Sequence, residues 1–140
     1  MAQTDIKKIE FFKHNIDEQD IARANEVLRS IFLTTGKVVE EFETKFAEYL
    51  GAKRAVGVTS CTAALHLCLL AWGIGEGDEV ITTPMSFCAT SNSVMHAGAK
   101  PVFVDVEEIT YNMDPALLEA AITPRTRAII PVHLFGQPAD

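Results

Sequence analysis

Four consecutive residues, Ser60, Cys61, Thr62 and Ala63, stand between a short β-leaning run, "AVGVT" (55–59), and a segment with almost no polar face, "TAALHLCLLAW" (62–72). Small and hydroxylated side chains at a strand-to-helix corner leave the first helical N–H groups uncovered and let an anion reach the backbone. A phosphate dianion there can accept hydrogen bonds from the amides of Thr62 and Ala63 and from the Thr62 hydroxyl, with the helix dipole adding about 0.3 to 1 kcal/mol. Ser60 or Thr62 acting only as a helix cap would use the same residues, and this stretch alone does not separate the two.

A second corner, "TTPMSFCATSN" (82–92), places Pro84 where a strand must stop and Phe87 shortly after it. If the first corner holds a phosphate, Phe87 is placed to lie flat against an aromatic ring attached to that phosphate, an arrangement worth about 0.5 to 1.5 kcal/mol beyond burial. The plain alternative is a core phenylalanine. His133 and Gln137 fall at the mouth of a later strand, the side on which open α/β sheets bind their ligands, and are candidates for lining a pocket.

Other chemistries find little support. The glycines Gly73, Gly75 and Gly77 in "WGIGEGDEV" follow a helix instead of preceding one, so a dinucleotide fingerprint is not indicated and a helix end with a turn fits better. Three cysteines, Cys61, Cys68 and Cys88, have no C-x-x-C spacing; they are expected to be small buried residues, not a disulfide framework or a metal site. The formal charge of −7 without a lysine- or arginine-rich run gives no footprint for nucleic acid. No apolar run is long enough to span a bilayer and the amino terminus lacks a signal-peptide core, which makes a cytoplasmic location the default.

These corners must be held by regular elements. Asn15 or Asp17 can cap a helix from about Glu18 to Phe32, where Ile21, Ala24, Leu28 and Ile31 recur at helical steps. After "LTTG" (33–36), Val39, Phe42, Phe46 and Leu50 stripe a second helix that Gly51 should end in a left-handed cap. From Arg54 the pattern alternates: strands at "AVGVT", "EVITT" (79–83), "PVFVDV" (101–106) and "AIIPVH" (128–133), with helices at 62–72, 87–96 and 115–122. Strands alternating with helices predict right-handed βαβ units and a parallel sheet. The expected fold is α/β, an α/β/α sandwich with a mostly parallel sheet: residues 1–53 form a helical segment packed alongside, and 54–140 the first part of a larger domain. Helix 62–72, apolar nearly all round, should be interior, with His66 a core histidine bonded to backbone. Asp114 before Pro115 reads as a cap and first-turn proline.

The ordered series "LTTG", "VEEFETKFAEYLGAKRAVGVTSCTAALHL", "GIGEGDEVITTPMSFCATSNSV", "GAKPVFVDV" and "ITPRTRAIIPVHLFGQPAD" resembles the start of the DegT-type sugar aminotransferases, which have the aspartate aminotransferase fold (fold type I). The resemblance implies pyridoxal 5′-phosphate as cofactor, a nucleotide-linked keto-sugar as substrate, glutamate or glutamine as amino donor, and a homodimer. It places Thr62 and Ala63 at the cofactor phosphate and Phe87 against the pyridine ring, and it matches Thr35 and Gly36 to a loop near the active site. Two positions depart from the family's habit: a smaller residue usually stands in place of Cys61, and often proline in place of Lys37. The seven lysines, at 7, 8, 13, 37, 45, 53 and 100, match no Schiff-base lysine of that family, so no catalytic residue is assigned within these residues. The chain is therefore read as the front part of a longer enzyme and is not expected to transaminate alone. A sugar dehydratase of the same lineage, or a non-catalytic sensor on the same fold, would share these features.

Overall fold

A computed structural model describes residues 12–140. The chain forms two compact units, Met1–Gly57 and Val58–Asp140.

Two helices make up the described part of the first unit. Helix α1 (Glu18–Leu28) starts at Asp17, whose carboxylate accepts the N–H groups of Gln19 and Asp20 while Asp20 accepts the N–H of Asp17, a reciprocal cap. It stops at Leu28 and not at Phe32, because Ser30 N–H turns back to the Val27 carbonyl and the Ser30 hydroxyl donates to the Phe32 carbonyl. Helix α2 (Lys37–Leu50) closes as expected on Gly51, at φ 66°. Phe42 and Phe46 stack with ring centroids 5.6 Å apart, but the stripe they belong to is largely exposed and only Ala47 is buried.

Segment 55–59 is not a strand. A strand exists through its ladder, and no described strand lies beside this one; the Gly57 N–H is instead donated to Glu43 at 2.7 Å. The sheet of the second unit therefore has three strands, not four.

In that unit, α3 (Cys61–Ala71) leads through the turn at 72–78 into β1 (Glu79–Thr82), followed by α4 (Ala89–His96), β2 (Lys100–Phe103), α5 (Pro115–Ala121) and β3 (Thr126–Ile129). The order is β2-β1-β3 and both pairings are parallel, with Val80 opposite Pro101 and Ala128. Glycine is required in the turn, where Gly73 and Gly77 have φ 69° and 89°. Asp114 caps α5 from its expected position.

The central strand is wholly buried, and its side chains alternate between two cores. Val80 packs with Leu69, Ile74, Val94 and Ala99 beneath α3 and α4; Ile81 packs with Val104 and Met113, and with Leu118 and Ala121 of α5. Helices thus cover both faces, which is the α/β/α layering expected, and burying each such aliphatic side chain contributes about 1.5 to 3 kcal/mol.

Three expectations fail here. Helix α3 meets the sheet and α4 on one side only, so Leu69 alone of its residues is buried while Leu67, Leu70 and Trp72 remain exposed among the described residues. Its thiols share that outward placement: Cys61 and Cys68, like Cys88, are exposed and free instead of buried. His66 is half-buried and meets His96 edge-on, with ring centroids 5.9 Å apart, and its imidazole makes no hydrogen bond to backbone among the described residues. No helix among the described residues is long and apolar enough to cross a membrane.

Candidate functional site

The topology decides which residues can meet a ligand. Helices α3 and α4 run back against the parallel strands, so their amino ends and the loop after β3 belong to the carboxyl edge of the sheet. The two corners and the "VHLFGQP" segment (132–138) all sit at that edge.

At the first corner, Ser60 is in extended conformation and its Oγ accepts the Ala63 N–H at 3.1 Å, while its carbonyl accepts the Ala64 N–H. Ser60 is thus a cap, and the Ala63 amide expected to be free is engaged. The amides of Cys61 and Thr62 have no acceptor among the described residues; Cys61 is exposed and Thr62 and Ala63 are half-buried. Cap and anion site are compatible, since two amides and the hydroxyls of Ser60 and Thr62 remain available to an oxyanion.

The second corner is a tight knot of hydrogen bonds. Thr83, buried at the end of β1, accepts the Met85 N–H; Ser86 N–H reaches the Pro84 carbonyl; the hydroxyls of Ser86 and Thr90 are 2.7 Å apart; and Thr90 N–H closes on the Phe87 carbonyl. Helix α4 therefore begins at Ala89 and not at 87, and Phe87 stands outside it, 80% exposed. An aromatic ring on a pinned backbone, facing outward, is not a core residue, and its face is open to a planar partner. Beneath it Thr82 is fully buried and donates its hydroxyl to the Ile130 carbonyl at 3.0 Å, tying the second corner to the strand that leads to His133.

The strand ends at Ile129 and not at the expected His133, which lies beyond it, exposed, with its Nδ1 accepting the Ala139 N–H at 2.9 Å. The second unit thus brings Thr62, Ala63, Phe87 and His133 to one edge of one sheet. Thr35 and Gly36 belong to the first unit, where Gly36 caps α2 through its carbonyl; together with Phe32, Val39 and Gly57 they line an open cleft of about 600 Å³. Sequence reasoning missed Ser86, Thr90 and Asn112, whose roles rest on hydrogen bonds that a residue pattern does not display. Among the described residues no cluster of three or more His, Cys, Asp or Glu is placed to hold a metal ion.

Comparison with known proteins decides the lineage of this site. The profile of the DegT/DnrJ/EryC1/StrS aminotransferase family matches residues 14–140. The chain belongs to that family. This family member is 54% identical over 125 residues, 89% of its length, to the spore coat polysaccharide biosynthesis protein SpsC of Bacillus subtilis, of which it covers 32%. It is 52% identical over 107 residues, 76% of its length, to the GDP-perosamine synthase of Caulobacter vibrioides, of which it covers 29%. Among solved structures, the PLP form of Spr1654 from Streptococcus pneumoniae superposes with a TM-score of 0.88 at 41% identity, over 94% of this chain and 34% of that one. The chain spans about a third of the length of the curated relatives it matches.

Proposed function

We propose that the protein of which these residues form part is a pyridoxal 5′-phosphate-dependent aminotransferase that moves an amino group from glutamate or glutamine to a nucleotide-linked keto-sugar. The observation that supports it most is the pairing, at one sheet edge, of unengaged amides at the head of α3 with an outward-facing aromatic ring on a hydrogen-bonded turn. A flat cofactor bearing a phosphate requires those two features and little else from this part of the fold. Membership of the family, and the names borne by relatives such as GDP-perosamine synthase, support the substrate class.

The residues present fit the cofactor. The amides of Cys61 and Thr62 and the hydroxyls of Ser60 and Thr62 would hold its phosphate, with the small side chain of Ala63 leaving room for it before the helix; Phe87 would lie against its ring. The Cys61 thiol is free and exposed. His133 would face the sugar. When bound, pyridoxal phosphate supplies an electron sink for the carbon that exchanges its amino group. The lysine and acidic group that such chemistry needs find no candidate here, so these 140 residues bind and orient and do not transfer. A homodimer and a cytoplasmic setting belong to the same reading.

The test is spectroscopic. Full-length protein with pyridoxal phosphate should show a visible absorbance band that glutamate abolishes and an added nucleotide keto-sugar restores. A band that no amino donor alters would overturn amino transfer and favour dehydration; the absence of any band would overturn the cofactor assignment.

A further inference from the structure

The loop after β3 is fastened by a residue that the site as described does not use. Asn112 is only 3% exposed, although its side chain is an amide, a group seldom enclosed without partners. Its Oδ1 accepts the Leu134 N–H at 3.0 Å, and its Nδ2 donates to the carbonyls of Gln137 at 3.2 Å and Pro138 at 3.1 Å. One side chain therefore ties both ends of the loop to the turn that follows β2. That turn is itself closed by Glu107, whose N–H reaches the Asn112 carbonyl and whose carbonyl accepts the Tyr111 N–H.

The backbone on each side of the clamp is held where non-glycine residues resist being. Tyr111 has φ 59° and Phe135 has φ 53°, the two non-glycine residues in the left-handed region among those described. Such conformations persist only when surrounding contacts enforce them, and here those contacts converge on Asn112.

The loop starts at His133. A neutral imidazole that accepts a hydrogen bond at Nδ1 carries its proton on Nε2, and Nδ1 accepts from Ala139. Nε2 has no partner among the described residues. What His133 offers at the carboxyl edge of the sheet is thus an N–H donor.

We infer that Asn112 is a positioning residue: it fixes the 133–138 loop so that His133 directs its Nε2–H toward an acceptor oxygen of the sugar substrate, a keto or hydroxyl oxygen. This rests on the amino-transfer reading above. Asn112 acts through the loop and touches no ligand itself.

Full-length protein labelled with ¹⁵N-histidine tests it by imidazole NMR at a pH where His133 is neutral. The wild type should show a protonated Nε2 and a bare Nδ1, and Asn112→Ala should show mixed tautomers with amide exchange at Leu134 and Ala139 at least about tenfold faster. Asn112→Asp, which keeps an acceptor for Leu134 and sets an oxygen against two carbonyls, serves where the alanine variant folds poorly. It should speed exchange at Ala139 more than at Leu134. In turnover, either variant should raise KM for the keto-sugar about tenfold while KM for the amino donor and cofactor affinity stay within about threefold; His133→Gln, which keeps an N–H donor, should retain more sugar affinity than His133→Leu. Unchanged tautomer and exchange, or equal changes in both KM values, would overturn the inference. A protein that never turns over a sugar defeats the amino-transfer reading instead, and the tautomer and exchange data still decide whether Asn112 sets the loop.

Discussion

Arg125 places Nη2 2.8 Å from Oε1 of Glu79, a carboxylate that opens the central strand and is 3% exposed. Thr123 donates its hydroxyl to Oε2 at 2.6 Å, and Lys100, opposite Glu79 in the register, approaches Oε1 at 3.4 Å. One side chain thus joins the amino ends of all three strands, at the edge opposite the candidate site. The hydrogen bond from Thr123, then those from Arg125, hold its pKa at about 2 against the upward push of burial. Because the folded value lies below the ordinary 4.5, Glu79 stabilises the fold above about pH 4.5, and that contribution is lost as pH falls toward 2. Thermal unfolding of the full-length protein should show Glu79→Gln several degrees less stable at pH 7, with the gap to wild type narrowing in acid. A gap independent of pH would contradict this assignment.

Gly51 ends α2 at φ 66°, and a Cβ added there would meet nothing within 4 Å. Any cost of Gly51→Ala is therefore backbone strain alone, about 1 kcal/mol, with no clash to add. Urea unfolding should show a lower midpoint at unchanged slope; a loss above about 3 kcal/mol would mean that side-chain contacts are involved.

What the sequence made legible was whatever depends on neighbours a few residues apart. Asp17, Gly51 and Asp114 do their capping work as local pattern predicts, and the alternation of apolar runs yields β1, β2, β3 and the helices between them in the right order. Val56 and Val58 show where that ends: β-branched residues give a segment its tendency, but a strand needs a ladder, and theirs is missing. The apolar circumference of α3 likewise records what its residues favour and not what covers them. At the candidate site, the place of Phe87 was readable because it follows a strand of the parallel sheet, whose carboxyl edge is the ligand edge; Thr62 reaches that edge through α3 alone, with no strand before it. Asn112 was not, since its bonds span 22 to 26 residues and no periodicity announces them.

Thr62 has its amide free and its hydroxyl at the head of α3. Thr62→Val removes the hydroxyl at constant shape and leaves the amide. Loss of one charge-assisted hydrogen bond to a phosphate, about 1.5 to 3 kcal/mol, should weaken cofactor binding by about ten- to a hundredfold. Titration of apoprotein with pyridoxal phosphate, and separately with pyridoxal, measures it; the variant should bind pyridoxal as the wild type does. An equal loss for both ligands would place the effect elsewhere than at the phosphate.

Phe87 tests the other half of the cradle, and the hydroxyl pair beneath it separates contact from placement. Phe87→Ala removes the ring and should weaken binding of both pyridoxal and its phosphate by about three- to tenfold, the worth of an offset stack, whereas Phe87→Tyr and Phe87→Trp keep a flat face and should bind nearly as wild type. Ser86→Ala leaves the ring in place but breaks its hydrogen bond with Thr90, one of the contacts that fix the turn bearing Phe87. It should cost about 0.5 to 1.5 kcal/mol of stability and a smaller share of affinity, with the visible band of the bound cofactor broadened as the ring samples more orientations. In the Phe87→Ala background there is no ring left to misplace, so adding Ser86→Ala should not weaken binding further. Additive losses in the double variant would show that Ser86 acts on the cofactor by some route other than Phe87.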